Sequence, residues 1–209
     1  MQLVDTSKEL QDTFANDIPD LVWATGAASY SYHFADRKMF DAIVLGSWRR
    51  DGTLFAADTT TLVVEDGQLL GIKMGMPGVD FRVRQAALGA VWKGLVTGKQ
   101  INAADIEGVL QRSQHASWLN PVIHADTYYI HAISVKPEYR GKRVGYRLMD
   151  SAINSAREQG FSKLQLDVLS GNPAVEFYRA VGFELLAETR APKPAAFGVP
   201  PEYRMGIEL

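Results

Sequence analysis

Cysteine is missing from this 209-residue chain. Its absence excludes disulfides, zinc thiolate centres and thiol nucleophiles together, and fits a reducing compartment, so the cytoplasm is the expected location. Long apolar runs are missing too. No stretch approaches the ~18 apolar residues of a membrane helix, and the opening residues MQLVDTSKELQDTF hold acidic side chains and no apolar signal core. No membrane partner is expected. Lys and Arg number 22 against 24 Asp and Glu, a formal net charge of -2 that gives no global attraction for nucleic acid. Neither GxGxxG after a strand nor GxxxxGKS/T occurs, which disfavours a dinucleotide fold and a P-loop. Internal repeats and low-complexity tracts are absent. With 46% apolar residues the chain can bury one sizeable core, and a single domain over residues 1–209 is the expectation.

What the chain does have is a concentrated basic turn. Tyr128 to Val135 is β-branched and aromatic with polar residues interleaved, Pro137 ends it, and RGKRVG at Arg140 to Gly145 opens a helix running to Gln159. Between Lys136 and Arg147 five cations, Lys136, Arg140, Lys142, Arg143 and Arg147, stand against the single anion Glu138. Such a turn suits phosphate, because the first four amides of a helix have no internal partner and small residues let an anion approach them. The alternative is a solvated basic turn with glycine for geometry. The order strand, turn, amphipathic helix favours the anion site, since ligands bind there in α/β sheets.

This stretch resembles the GNAT superfamily of acyl-CoA-dependent N-acyltransferases, whose signature R/Q-x-x-G-x-G/A follows a strand ending in Val and Pro. Here it maps onto Arg140, Gly141, Lys142, Arg143, Val144 and Gly145, with Arg143 standing where the family has its first glycine. Downstream, NPAVEFYRAVGF from Asn172 to Phe183 is similar to the family's N-x-x-A-x-x-F-Y-x-x-x-G-F, with Asn172 one residue too close and Gly171 at the usual place. The resemblance implies a GNAT-like α/β (α+β) fold, a mixed, mainly antiparallel sheet flanked by helices, and acetyl-CoA as co-substrate with no metal. It further implies a splay between the fourth and fifth strands that admits the pantetheine arm. Backbone amides at residues 140–145 would cradle the CoA pyrophosphate, the Ile133 N–H would lie beside the acetyl carbonyl, and Val135 would pair with pantetheine.

Elsewhere strands and helices alternate with hairpins at both ends, which by itself argues for α/β with a mixed, mainly antiparallel sheet. A short strand is expected near Gln2 to Val4, then a helix capped by Ser7, then another begun by Asp17 before Ile18-Pro19 and interrupted at Gly26 and ASYSYHF. Another helix is expected from Asp36 to Arg50. Thr59 to Pro77 reads as a hairpin around Asp66-Gly67, the dipeptide a type I′ turn wants. Gly78 to Asp126 has helical patterning in Phe81 to Val96 and Asn102 to Gln114, and contains Trp92 and Trp118. By the resemblance it is a helical insertion before the central strand, serving as an acceptor-side wall or as a buttress or homodimer face. The helix ending at Gln159 should bury Leu148, Met149, Ala152, Ile153 and Ala156. Ser162 to Leu169 reads as a strand, Asn172-Pro173 as a helix start, and Phe183 to Glu188 and Tyr203 to Glu208 as closing strands around a proline-rich loop.

Aminolysis of a thioester needs a neutral amine, a stabilised oxyanion and a tolerable thiolate. His131 is the candidate base, because period-2 alternation puts it on one face with Tyr129, Ile133 and Val135 and its position is similar to that of a catalytic histidine in the family. The alternative is a strand histidine bonded to a neighbour. Taking a proton from an alkylammonium near ~10.4 with a His near ~6.5 is uphill by roughly 5 kcal/mol, so a water relay, a low-pKa amine or proton removal from the zwitterionic intermediate fits better, with a pH limb near ~6.5 if His131 relays the proton. Asp126 and His124 are reserve bases. The resemblance offers Tyr178 as hydrogen-bond donor to the departing thiolate, against simple packing with Ala174, Phe177 and Val181. Asn172 is first a helix cap. Tyr30, Tyr32 and His33 border the acceptor or pack on the sheet edge. The reading is direct acetyl transfer to a small-molecule or peptide amine, with a CoA-binding regulatory module lacking turnover as the alternative.

Overall fold

Asp66 and Gly67 adopt φ of 50° and 74°, the two positive values a type I′ turn requires, and the hairpin they close begins the sheet. A computed structural model describes residues 1–34, 36–116 and 122–209. In chain order the elements are β1 (Gln2–Asp5), α1 (Lys8–Thr13), α2 (Ile18–Trp23), α3 (Ala27–His33), α4 (Arg37–Trp48), β2 (Thr60–Glu65), β3 (Gln68–Pro77), α5 (Asp80–Thr97), α6 (Ala103–His115), β4 (Thr127–Val135), α7 (Val144–Glu158), β5 (Lys163–Leu169), α8 (Ala174–Val181), β6 (Glu184–Thr189), α9 (Pro192–Phe197) and β7 (Glu202–Glu208). Ser7 and Asp36 cap α1 and α4, accepting from the Leu10 and Met39 amides at 3.3 and 2.7 Å, and so satisfy donors that a helix start leaves open.

The strands form one sheet in the order β1-β2-β3-β4-β5-β7-β6, antiparallel throughout except for β4 beside β5. This is the mixed, mainly antiparallel α/β arrangement expected. One face of β2 to β4 is buried by α2, α4 and α5, where Ile18, Phe40, Trp48 and Leu88 pack with Leu62, Ile72 and Met74. The opposite face carries α7 and α8, with Met149, Ala152 and Tyr178 against Ile130, Leu166 and Met205. Helices α5 and α6 occupy the stretch between β3 and the central strand β4; Trp118 lies outside the described residues. No helix among the described residues is long and apolar enough to cross a membrane.

Two segments differ from expectation. ASYSYHF, taken as an interruption, is itself α3. Its Ser, Tyr and His are weak helix formers, yet Tyr30 sets its ring 4.7 Å from that of Phe40 and within 6.3 Å of those of Trp23 and Phe34, and that packing outweighs propensity. The proline-rich loop holds α9, where Pro192 and Pro194 fall in the first turn, whose N–H groups would be unpaired anyway, and Gly198 closes the helix at φ 99°.

Candidate active site

β4 and β5 pair over only four positions, from Thr127 with Lys163 to Ile130 with Leu166. Both strands continue, so from His131 onward their edges part. Which atoms face the gap follows from the other side of β4. The Lys136 N–H donates to Leu70 O on β3 at 2.9 Å, and antiparallel alternation then turns Ser134 toward β3 and Ile133 and Val135 away from it. The Val135 carbonyl agrees, accepting a hydrogen bond from Arg140 Nε at 3.3 Å. Ile133 therefore presents its N–H to the gap, and Arg140 covers the acceptor at Val135. A cleft of about 400 Å³ between α2 and the end of β4 is lined by Asp17, Leu21, Ser134, Val135, Pro137 and Arg140, among others.

Past Tyr139 the chain turns through Gly141 and Arg143, at φ 78° and 62°, into α7. The amides of Gly141, Arg143, Val144, Gly145 and Tyr146 have no partner among the described residues, whereas the Lys142 N–H is used inside the turn, to Tyr139 O at 3.4 Å. Arg147 is the first residue of α7 whose amide finds a helical acceptor, Arg143 O at 3.2 Å. Free amides at the head of a long helix, ringed by Arg140, Lys142 and Arg143, fit a pyrophosphate. The left-handed conformation at Arg143 occupies the position where the family has glycine, and a side chain there is strained by ~1–2 kcal/mol. Arg143→Gly should raise stability in urea by up to ~1 kcal/mol, the greater freedom of glycine in the unfolded chain offsetting the remainder. A clear loss of stability instead would mean that the Arg143 side chain holds the turn.

His131 corrects the alternation argument. Met74 lies opposite Ala132 and Gly75 opposite Ile130, which leaves His131 as the extra residue of a β-bulge. His131 and Ala132 consequently both face the α4 and α5 side: the imidazole stands 5.2 Å from the Phe55 ring and 5.7 Å from Phe81, and Ala132 belongs to the same core. Ile133 and Val135 pack on the α7 side, so of the residues grouped with His131 only Tyr129 shares its face. Burial pulls the imidazole down to about 4, and Nε2 is buried without a hydrogen-bond partner among the described residues. Against an alkylammonium near ~10.4 so weak a base makes direct proton removal costlier still than for an ordinary imidazole, and the ring's place between Phe55 and Phe81 favours packing over a relay. His131→Gln should leave the shape of kcat/KM unchanged between pH 6 and 9. Because the unfolded His binds its proton near ~6.5 and the folded one only near 4, stability is lost as pH falls through that window. The variant should lack that slope, read by urea unfolding at pH 7 and pH 5.

The reserve bases are displaced as well. Asp126 pairs with Lys163 at 2.9 Å, at the closed end of the strand pair and about 20 Å of strand from Ile133; His124 precedes it. Tyr178 is buried on the α7 side between Phe177 and Phe183, with ring centroids at 5.5 and 5.8 Å. Burial pushes its phenol well up, so it remains a neutral donor. Asn172 Oδ1 accepts from the Ala174 amide at 2.9 Å, the capping role. Tyr30 is packed in the core, Tyr32 O–H lies 3.3 Å from His115 Nδ1, and His33 Nδ1 lies 2.8 Å from Ser29 O; all three sit on α3 rather than on a loop.

Sequence reasoning passed over a group beside His131. Tyr129 O–H donates to Asp167 Oδ2 at 2.9 Å, while Arg204 grips the same carboxylate through Nε at 2.5 Å and Nη2 at 2.7 Å. The alternation of Leu164, Leu166 and Val168 was the signal, since it leaves Asp167 on the opposite face of β5. Among the described residues no three His, Asp or Glu side chains gather as around a metal ion.

The acetyltransferase (GNAT) family model matches residues 27–183. The chain is 39% identical over 61 residues to the thialysine N-epsilon-acetyltransferase of Bos taurus, covering 29% of this chain and 36% of that one. It is 33% identical over 78 residues to the putative ribosomal protein bS18-alanine N-acetyltransferase of Bacillus subtilis, covering 36% and 52%. These matches span about a third to a half of the relatives' length. An N-acetyltransferase structure from Staphylococcus aureus Mu50 shares the fold at TM-score 0.71 and 16% identity, over 99% of this chain and 100% of that one.

Proposed function

The chain belongs to the acetyltransferase (GNAT) family, and on that premise we propose that it transfers an acetyl group from acetyl-CoA to a primary amine by direct attack within a ternary complex. The observation that carries this is the open edge of β4 ending at a turn of unpaired amides. A pantetheine arm can run along the first and a pyrophosphate rest on the second. The residues that would hold the co-substrate are Ile133 and Val135 on the strand and Arg140, Gly141, Arg143, Val144 and Gly145 in the turn, with Arg140 leaving the Val135 carbonyl as the arm arrives. Acetyl-CoA supplies the activated carbonyl. The Ile133 amide is aimed at the side where negative charge develops on that carbonyl oxygen. Tyr178 steadies the departing sulfur by a hydrogen bond, because proton transfer from a phenol pushed upward by burial is more unfavourable than from an ordinary one.

His131 packs against Phe55 and Phe81 and Asp126 is paired with Lys163, so the amine is expected to enter neutral or to lose its proton to water. That same observation favours a second reading, a CoA-binding regulatory module of the cytoplasm without turnover. Thiol release from acetyl-CoA across a panel of small amines and peptides, with the mass shift of each product, separates the two. Release above background with a gain of one acetyl supports transfer; tight CoA binding with release at background for every amine supports the module.

A further inference from the structure

Helix α6 carries a guanidinium whose charge no described residue answers with an ion pair. Arg112 Nε donates to the His33 carbonyl, the last of α3, at 2.7 Å, which fixes the direction of the side chain. Its Nη2 is buried and has no hydrogen-bond partner among the described residues. Among the described residues no carboxylate forms an ion pair with it, and none of residues 117–121 is acidic. The group lies against Gly108, where a Cβ would stand 3.0 Å from Nη1 and 3.2 Å from Nη2, so the glycine one turn earlier makes its room. A guanidinium stays charged at any ordinary pH, and a partly buried one left unpaired is unfavourable until a carboxylate or similar anion meets it. Its fork of donors matches a carboxylate in shape.

The place of Arg112 relates this charge to the gap. One helical turn on, Ala116 packs with Tyr32 of α3, with Ala191 and Val199 flanking α9, and with Leu169 at the end of β5. Leu169 lies three residues past Leu166, where pairing with β4 stops. Leu169 therefore borders the gap, and a packing separation of ~8–10 Å between neighbouring elements plus up to one helical turn of ~5 Å puts Arg112 on the order of 10–15 Å from it. That is the span of three or four residues of extended peptide.

Resting on the acetyl-transfer reading above, we propose that the acceptor is a short peptide, or an amino acid of similar length, whose free carboxylate is read by Arg112 while its amine reaches the open edge of β4. The test is a ladder from glycine to pentaglycine, each as free acid and as C-terminal amide, assayed for kcat/KM. A second arm measures calorimetric binding of the N-acetylated acids and amides, which needs no turnover. The expected result is a free-acid preference of 10-fold or more that emerges at three or four residues. Arg112→Met should erase it through KM, leaving kcat and the amides unchanged. Arg112→Lys, which keeps a donor for the His33 carbonyl, should retain part of it.

Equal handling of acids and amides by the native protein overturns the proposal, as does an equal loss for both in Arg112→Met. Arg112-dependent binding of N-acetylated acids without any amine turnover keeps Arg112 as a carboxylate site and discards the transfer reading. Turnover indifferent to the carboxylate does the reverse.

Discussion

Ile133→Pro should lower kcat by ~10²–10³, the usual loss of one oxyanion donor, while acetyl-CoA affinity changes by less than tenfold. The Ile133 N–H faces the gap and not β3, as the Lys136 to Leu70 bond implies, so proline there removes no ladder bond. What it does remove besides the donor is part of an isoleucine that packs on the α7 side. Ile133→Ala makes a similar loss of packing and keeps the amide. Single-turnover rates of the two variants, with titrated acetyl-CoA affinities and melting curves, isolate the donor. Should Ile133→Ala fall as far as Ile133→Pro, the amide would have no special role and the loss would belong to packing.

Gly145→Pro should weaken acetyl-CoA by 10- to 100-fold with kcat at saturation little altered, because one hydrogen bond to a charged group is worth ~1.5–3 kcal/mol. The chain already contains the precedent for tolerance. Pro19 sits at the second position of α2 behind Ile18, whose φ of -64° and ψ of -45° are helical, and Gly145 holds the same position in α7. Gly145→Ala is the control. A Cβ at Gly145 meets the Phe177 ring at 3.6 Å and Val135 Cγ2 at 3.9 Å, ordinary contacts, so alanine should bind within about twofold of the native protein. Calorimetry with acetyl-CoA reads both. Equal affinity for Gly145→Pro in a folded protein would take the turn out of the site.

What could be read from the residues was local. Asp66-Gly67 announces its turn, Ser7 and Asn172 their caps, and RGKRVG its helix start, because each is decided within a few residues of backbone. The bulge at His131 is not of that kind. It exists because β3 and β4 fall out of step between Met74 and Gly75; Gly75 stands at that step, but a lone strand glycine does not say which residue opposite is the extra one, and the step carried Ile133 and Val135 to the face away from Tyr129 and His131. Helix α3 depends on Phe40, ten residues past Tyr30. Arg143 lies between the two cases: the resemblance marked a position reserved for glycine, and the positive φ explains why. The charge at Arg112 had no signature in sequence, since being unpaired is a property of surroundings.

The short parallel seam has a consequence for how the protein holds together. Beyond Ile130 and Leu166 the middle of the sheet is unstitched, and a co-substrate lying along β4 would occupy backbone groups that another strand would otherwise claim. Bound acetyl-CoA would then act as a missing strand, and its concentration would enter the folding equilibrium. At a hundredfold excess over its dissociation constant it would contribute ~2.7 kcal/mol, a sizeable part of the 5–15 kcal/mol by which a domain typically stays folded. A cell short of acetyl-CoA would hold less of this protein folded, quite apart from how fast the protein worked.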